Sequence, residues 1–221
     1  MKKILALILA AVMMLALVAC GGSKTPDTTN ATTPKTTEGA GTDTEISDEN
    51  PIVDLNGKFD ASAIKEGKVL VTSVGQSGDV DMMGAIFKKA GVEIETNKAA
   101  TAQDLDGVGV VVAVVGASSK GLGAAGISVD DELSRTNDLM AACKTAGIPV
   151  ILAHVGGASR TGGSSNQLIE AVLQGGASYA LVVADGDVDG IFSNYCKTNN
   201  VPLTLIKSLA NAVTPLGEIF K

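Results

Sequence analysis

The sequence predicts an α/β fold: a doubly wound, mostly parallel six-stranded sheet with helices on both faces, a three-layer sandwich of the flavodoxin-like or Rossmann-like kind. Three observations predict it. From residue 68 onward, short β-branched runs alternate with helical segments, the pattern of βαβ units and a parallel sheet. The run VGVVVAVV at 108–115 has no polar side chain on either face, as a central strand covered by helices requires. Gly-rich loops follow the strands, whereas the turns that end helices, KKAG and KTAG, are brief.

Taken in order, residues 1–19 read as a signal peptide: Lys2 and Lys3, an apolar run from Ile4 to Val18, then Ala19 before Cys20. A transmembrane helix needs about 20 apolar residues, and this run is shorter. Leu17-Val18-Ala19-Cys20-Gly21 resembles the bacterial lipobox, so the expected mature N-terminus is a lipid-modified Cys20 bearing palmitate-type acyl chains. Residues 20–50 form the expected tether. They are rich in Thr, Gly, Asp and Glu and almost free of large apolar groups, so burial cannot offset the entropy of ordering them. As a coil of about 30 residues the tether reaches roughly 30 Å.

Residues 51–221 are expected to form a single α/β domain. Its strands are read at 68–74, 92–96, 108–115, 149–155, 179–184 and 203–207. Its helices are read at 79–90 closed by Gly91, 129–146 closed by Gly147, 166–173 ahead of Gly175, and 188–198 ahead of Asn199; glycine or asparagine after the last turn is the usual helix stop. Ser128 with Asp131 resembles a capping box.

The chain carries a formal net charge of −7, and 3% of its residues are aromatic, with no Trp. Losing the signal segment removes only Lys2 and Lys3 among charged groups and leaves the remainder more acidic. Such a surface repels phosphate backbones and offers few stacking platforms, which speaks against nucleic acid. Beyond Cys20 the cysteines are Cys143 and Cys196, on separate helices and outside any CxxC pair; they read as small packed apolar residues.

In open parallel sheets ligands sit beyond the carboxyl ends of the strands, at the topological switch point. Four loops occupy that edge: GQSGDVD (75–81), GASSKGLGAAGIS (116–128), GGASRTGGSSN (156–166) and DGDVDG (185–190). The expected ligand-binding residues are Ser73, Gln76, Ser77, Ser118, Ser119, Lys120, His154, Arg160 and Asp185. Lys120 and Arg160 lie on the two longest loops, which run into helix N-termini, so an anionic group is the expected guest. Gly121-Leu122-Gly123-Ala124-Ala125-Gly126 matches a dinucleotide fingerprint in letters but not in context, because it follows a later strand and precedes its helix. Asp185, Asp187 and Asp189 match the first half of a calcium loop, but Cys196 stands where the bidentate Glu belongs. No cofactor is expected beyond weak calcium binding there, with a helix cap as the plainer role for these carboxylates. No catalytic residue is assigned: His154 is the only histidine and no GxSxG elbow exists.

The stretches VTSVGQSGDVDMM, VVGASSKGLGAAGIS, ILAHVGGASR and VVADGDVDGIF resemble an uncharacterised family of exported bacterial proteins known as a domain of unknown function, family 6305. The resemblance spans residues 68–220 and implies exported α/β architecture without implying a mechanism. The leading expectation is therefore a lipoprotein anchored through Cys20 to the outer face of the bacterial cytoplasmic membrane, binding a small anionic solute. The alternatives are a hydrolase-like enzyme using His154 or Asp79 and Asp185, with a divalent cation at the DGDVDG loop, and a partner-docking module without a small ligand. The sequence names no protein partner.

Overall fold

A computed structural model describes residues 45–221. The signal segment, Cys20 and the tether as far as residue 44 lie outside them. The elements are β1 (Ile52–Leu55), β2 (Lys68–Val74), α1 (Asp79–Ala90), β3 (Glu95–Thr96), β4 (Val108–Val115), α2 (Ser119–Ala125), α3 (Val129–Ala146), β5 (Val150–His154), α4 (Ser164–Gln174), β6 (Tyr179–Val183), α5 (Ser193–Asn199), β7 (Leu203–Ile206) and α6 (Val213–Ile219). The strands form one sheet in the order β1-β7-β6-β5-β4-β2-β3. All neighbours are parallel except β1, which runs antiparallel to β7 with Ile52 opposite Ile206 and Leu55 opposite Leu203.

The expected count of six strands is therefore corrected to seven. The added strand, Ile-Val-Asp-Leu, is a short edge strand with only Val53 fully buried, so neither length nor alternation announces it. At the other edge, β3 is two exposed residues long rather than the five expected at 92–96. The parallel strands follow the flavodoxin-type order, with the switch point between β2 and β4.

Two apolar layers hold the helices to the sheet. Val80, Met83, Ile86 and Phe87 of α1 and Leu216 of α6 pack on Val71, Val112, Ile151 and Leu181. On the other face Leu139 and Cys143 of α3, Leu168 and Val172 of α4, Phe192 just before α5 and Cys196 within it pack on Leu70, Val111, Leu152 and Val182. Every residue of β4 is buried, as a strand covered on both sides must be. The two cysteines are buried free thiols, and burial pushes each up to about 11.

Helices α1 and α3 occupy the spans read from the sequence, closed by Gly91 and Gly147 in left-handed conformation. The helix expected at 188–198 begins instead at Ser193, because Asp189 at φ 55° interrupts helical geometry. Two helices were not expected. In α6, Pro215 and Gly217 disguise a seven-residue helix. In α2, the Gly-rich SKGLGAA is helical, so the supposed 13-residue loop at 116–128 is two short connections around a helix.

Candidate functional site

The carboxyl ends of β2 and β4 lie side by side, Val74 opposite Val115, and their loops are tied together. Gly116 N–H donates to Val74 O at 2.9 Å and Ser118 N–H to Gly75 O at 2.8 Å. Gly75 has φ 109°, and a Cβ there would lie 2.4 Å from Gly116 O, so only glycine lets the two loops approach this closely. Gly121 is equally constrained: its Cβ would meet Gln76 O at 1.8 Å. The first glycine of GLGAAG thus seats α2 against the β2 loop, and Gly126 closes α2 at φ 69°.

Beneath this junction lies a buried ion pair that the sequence reading missed. Glu132 of α3 is 0% exposed, and its carboxylate accepts from Gly75 N–H (2.7 Å), Gln76 Nε2 (3.1 Å) and the Arg135 guanidinium (2.7 and 2.9 Å). Arg135 also donates to Ala100 O and Ser73 O, each at 2.6 Å. A buried charge pair needs such additional bonds to offset desolvation. Here they fix Gln76, which stands at φ 55°, at the head of the loop. The signal was available: Glu132 shares the buried stripe of α3 with Thr136, Leu139, Met140 and Cys143, at helical spacing.

Asp79 opens α1, its backbone N–H donating to Ser77 Oγ at 3.3 Å. The Asp79 side chain is 5% exposed, and its Oδ2 has no hydrogen-bond partner among the described residues. Arg160 Nε lies 3.6 Å away, inside ion-pair range but beyond a hydrogen bond. The same guanidinium donates through Nη1 to Ala117 O at 3.2 Å, while Ala117 N–H donates to Ser165 Oγ at 2.9 Å. The peptide after β4 is thus held on one side by Arg160 and on the other by the first turn of α4. That turn carries no acidic residue, and the residue before α4, Gly163, has no side chain to cap it. The α4 N-terminus and the 31% exposed Arg160 side chain therefore bracket Ala117.

His154 ends β5 and is 0% exposed. Nδ1 faces Val115 O at 2.9 Å, and Nε2 faces Gly157 O and Thr161 Oγ1, each at 3.2 Å. The ring also packs on Phe192 with centroids 5.0 Å apart. Burial pulls its pKa below the ordinary 6.5, although the two carbonyls and the nearby Asp79 and Asp185 oppose this. The neutral ring is thus a strut between the β4 end and the 157–161 turn, with no nitrogen open to solvent.

The nine expected ligand-binding residues divide accordingly. Gln76, Ser118, Ser119, Lys120, Arg160 and Asp185 lie at the surface of the carboxyl edge. Ser118 caps α2 by accepting from Gly121 N–H at 3.1 Å, and Lys120 is exposed on α2. Ser73, Ser77 and His154 are buried beneath them, and Ser73 Oγ has no partner among the described residues. Asp185 follows β6 on a short 3-10 turn and lies against Gly157, where a Cβ would come within 2.3 Å of its Oδ1.

In the half calcium loop one carboxylate is already engaged by backbone amides. Asp187 Oδ1 accepts from Phe192 N–H (2.8 Å) and Ser193 N–H (3.1 Å), the cap reading of this carboxylate. Among the described residues no three His, Cys, Asp or Glu side chains come together in a group that could hold a metal ion.

Fold and site together define a three-layer α/β domain with a mostly parallel sheet and a cluster of polar and charged side chains at its switch point. The sequence profile of the family described as "Domain of unknown function (DUF6305)" matches residues 66–220, and the chain belongs to that family. No curated protein matches. Among solved structures, a GDSL-like lipase from Bacteroides thetaiotaomicron VPI-5482 is similar at 14% identity and TM-score 0.32, over 65% of this chain and 72% of that one. AlinE4, an SGNH-hydrolase family esterase, is similar at 11% identity and TM-score 0.28, over 68% and 80%.

Proposed function

We propose that this protein is a lipoprotein anchored through Cys20 to the outer face of the cytoplasmic membrane, and that its domain binds a small anionic solute at the switch-point edge of the sheet. The observation that carries the binding reading is the convergence on Ala117: the Arg160 guanidinium on its carbonyl, and the uncapped first turn of α4 on its N–H. A helix N-terminus beside a guanidinium favours an acidic group, since the helix dipole and the fixed positive charge act in the same direction. Lys120 adds a second cation on the same edge. The acid seats against Arg160 and the α4 N-terminus, above the enclosed Asp79 carboxylate that Arg160 faces at 3.6 Å. A buried carboxylate oxygen without a donor is costly to fold, which is a reason for such a group to belong to a binding site.

A binder is favoured over a hydrolase because the only histidine is enclosed, with its nitrogens against protein oxygens. Nucleic acid is not among the proposed partners, given the net charge of −7. The reading is tested by calorimetric titration of the full chain, in mild detergent, with phosphate, succinate, glutamate and lactate, each with calcium and with chelator. Arg160→Ala is expected to weaken the best of these at least tenfold, and His154→Asn to weaken it less. Equal affinity for Arg160→Ala and the parent would overturn the assignment of this edge.

A further inference from the structure

At the opposite edge of the sheet, where the parallel strands begin, a cleft of about 180 Å³ opens between β1, the start of β6 and α6. Its floor is the aromatic pair Phe59 and Tyr179, with ring centroids 5.3 Å apart and planes at 35°. Its rim carries two carboxylates, Asp54 and Glu218, and one ammonium, Lys58.

Asp54 is held in place from behind. Its Oδ1 accepts from the Thr204 hydroxyl at 2.6 Å, and Thr204 is itself buried. This bond leaves Asp54 Oδ2 turned to the cleft. The turn after β1, with Asn56 at φ 60° and Gly57 at φ 89°, brings Lys58 back over the opening. Lys58 Nζ lies 3.7 Å from Asp54 Oδ2 and 3.4 Å from Glu218 Oε2. Its side chain is 73% exposed, so little packing keeps it there, and an exposed ion pair of this kind contributes little to stability.

We infer that this cleft is a binding site for a small primary ammonium compound, and that Lys58 occupies the ammonium position until such a ligand displaces it. The lysine shows where an alkyl-borne ammonium fits: between two carboxylates, at the mouth of a cleft that Phe59 and Tyr179 also line. Displacing Lys58 leaves two negative charges facing the guest, in a chain whose net charge of −7 already draws cations. The inference is independent of the switch-point edge.

The test uses n-butylammonium, which reproduces the lysine side chain beyond Cα, with n-butanol as its uncharged counterpart. The chain has two tyrosines, so selective ring labelling gives a two-signal NMR readout on the full chain. Tyr179 lies in the cleft, while Tyr195 donates to Leu173 O on the other side of the sheet and reports non-specific effects. The expected result is a saturable shift of the Tyr179 signal alone with n-butylammonium, at least fivefold tighter in Lys58→Ala because the resident ammonium is gone. In Lys58→Ala/Asp54→Asn the affinity falls back at least fivefold, and n-butanol leaves both signals unmoved at the same concentrations. The inference is overturned if Lys58→Ala binds no more tightly than the parent, if Asp54→Asn has no effect, or if n-butanol shifts Tyr179 equally.

Discussion

Replacing Glu132 by Gln removes one charge from a pair that the fold has taken out of water. Glu132 is fully enclosed and the Arg135 side chain is 13% exposed, so the guanidinium left behind cannot rehydrate without opening the α3 contact. Breaking a buried pair from one side typically costs about 3–5 kcal/mol. Arg135 keeps its bonds to Ala100 O and Ser73 O, and a glutamine oxygen can still accept from Gly75 N–H, which places the expected loss near about 3 kcal/mol. For a domain of this size that is roughly 6–12 °C of Tm, at roughly 2–4 °C per kcal/mol. Urea unfolding of the full chain measures it as a lower midpoint at unchanged slope. Arg135→Met strands the carboxylate instead and costs at least as much, while the double variant loses less than the sum of the two. A loss below about 1 kcal/mol for Glu132→Gln, or simple additivity, would refute the view that this pair holds the β2 loop.

Gly121→Ala places a methyl 1.8 Å from Gln76 O, a clash with backbone that cannot rotate away; it is expected to destabilise by at least about 1–3 kcal/mol, measured by thermal unfolding. His154 sets a pH dependence. Its folded pKa lies below the ordinary 6.5, so the unfolded chain binds the proton more readily, and the stability present above pH 6.5 is lost as pH falls through the folded value. Unfolding midpoints from pH 8 to pH 4 should show that decline, and His154→Asn should flatten it between pH 6.5 and the lower value. Asp187→Ala removes the acceptor for the Phe192 and Ser193 amides and should cost about 1 kcal/mol, equally in calcium and in chelator.

Much of the sheet was legible because its strands are chemically extreme. The run at 108–115 admits no reading but a buried strand, and α1 and α3 announce themselves by an apolar stripe closed by glycine. What escaped was ordered by contacts rather than by local pattern. Strand β1 exists because it pairs with β7, and α2 because glycine lets it press against Gln76. The carboxyl-edge loops could be placed in advance, since β-to-α connections of a parallel sheet fall there by topology. Whether a side chain on them faces solvent could not be, and Ser77 and His154 proved buried. Glu132 was legible in principle from its place on the buried stripe of α3, but its partners Gly75 and Gln76 come from a loop 56 to 57 residues away in sequence.

The central claim is that the switch-point edge of the sheet binds a small anion, and the measurement closest to it is thermal unfolding of the full chain across a panel of anionic metabolites, repeated in Lys120→Ala and Arg160→Ala. A ligand at about 100 times its Kd adds roughly 2.7 kcal/mol, which is roughly 5–10 °C here. The account predicts such a shift for at least one carboxylate or phosphate compound, reduced in Lys120→Ala and lost in Arg160→Ala. A flat panel, or a shift that survives Arg160→Ala undiminished, would contradict it.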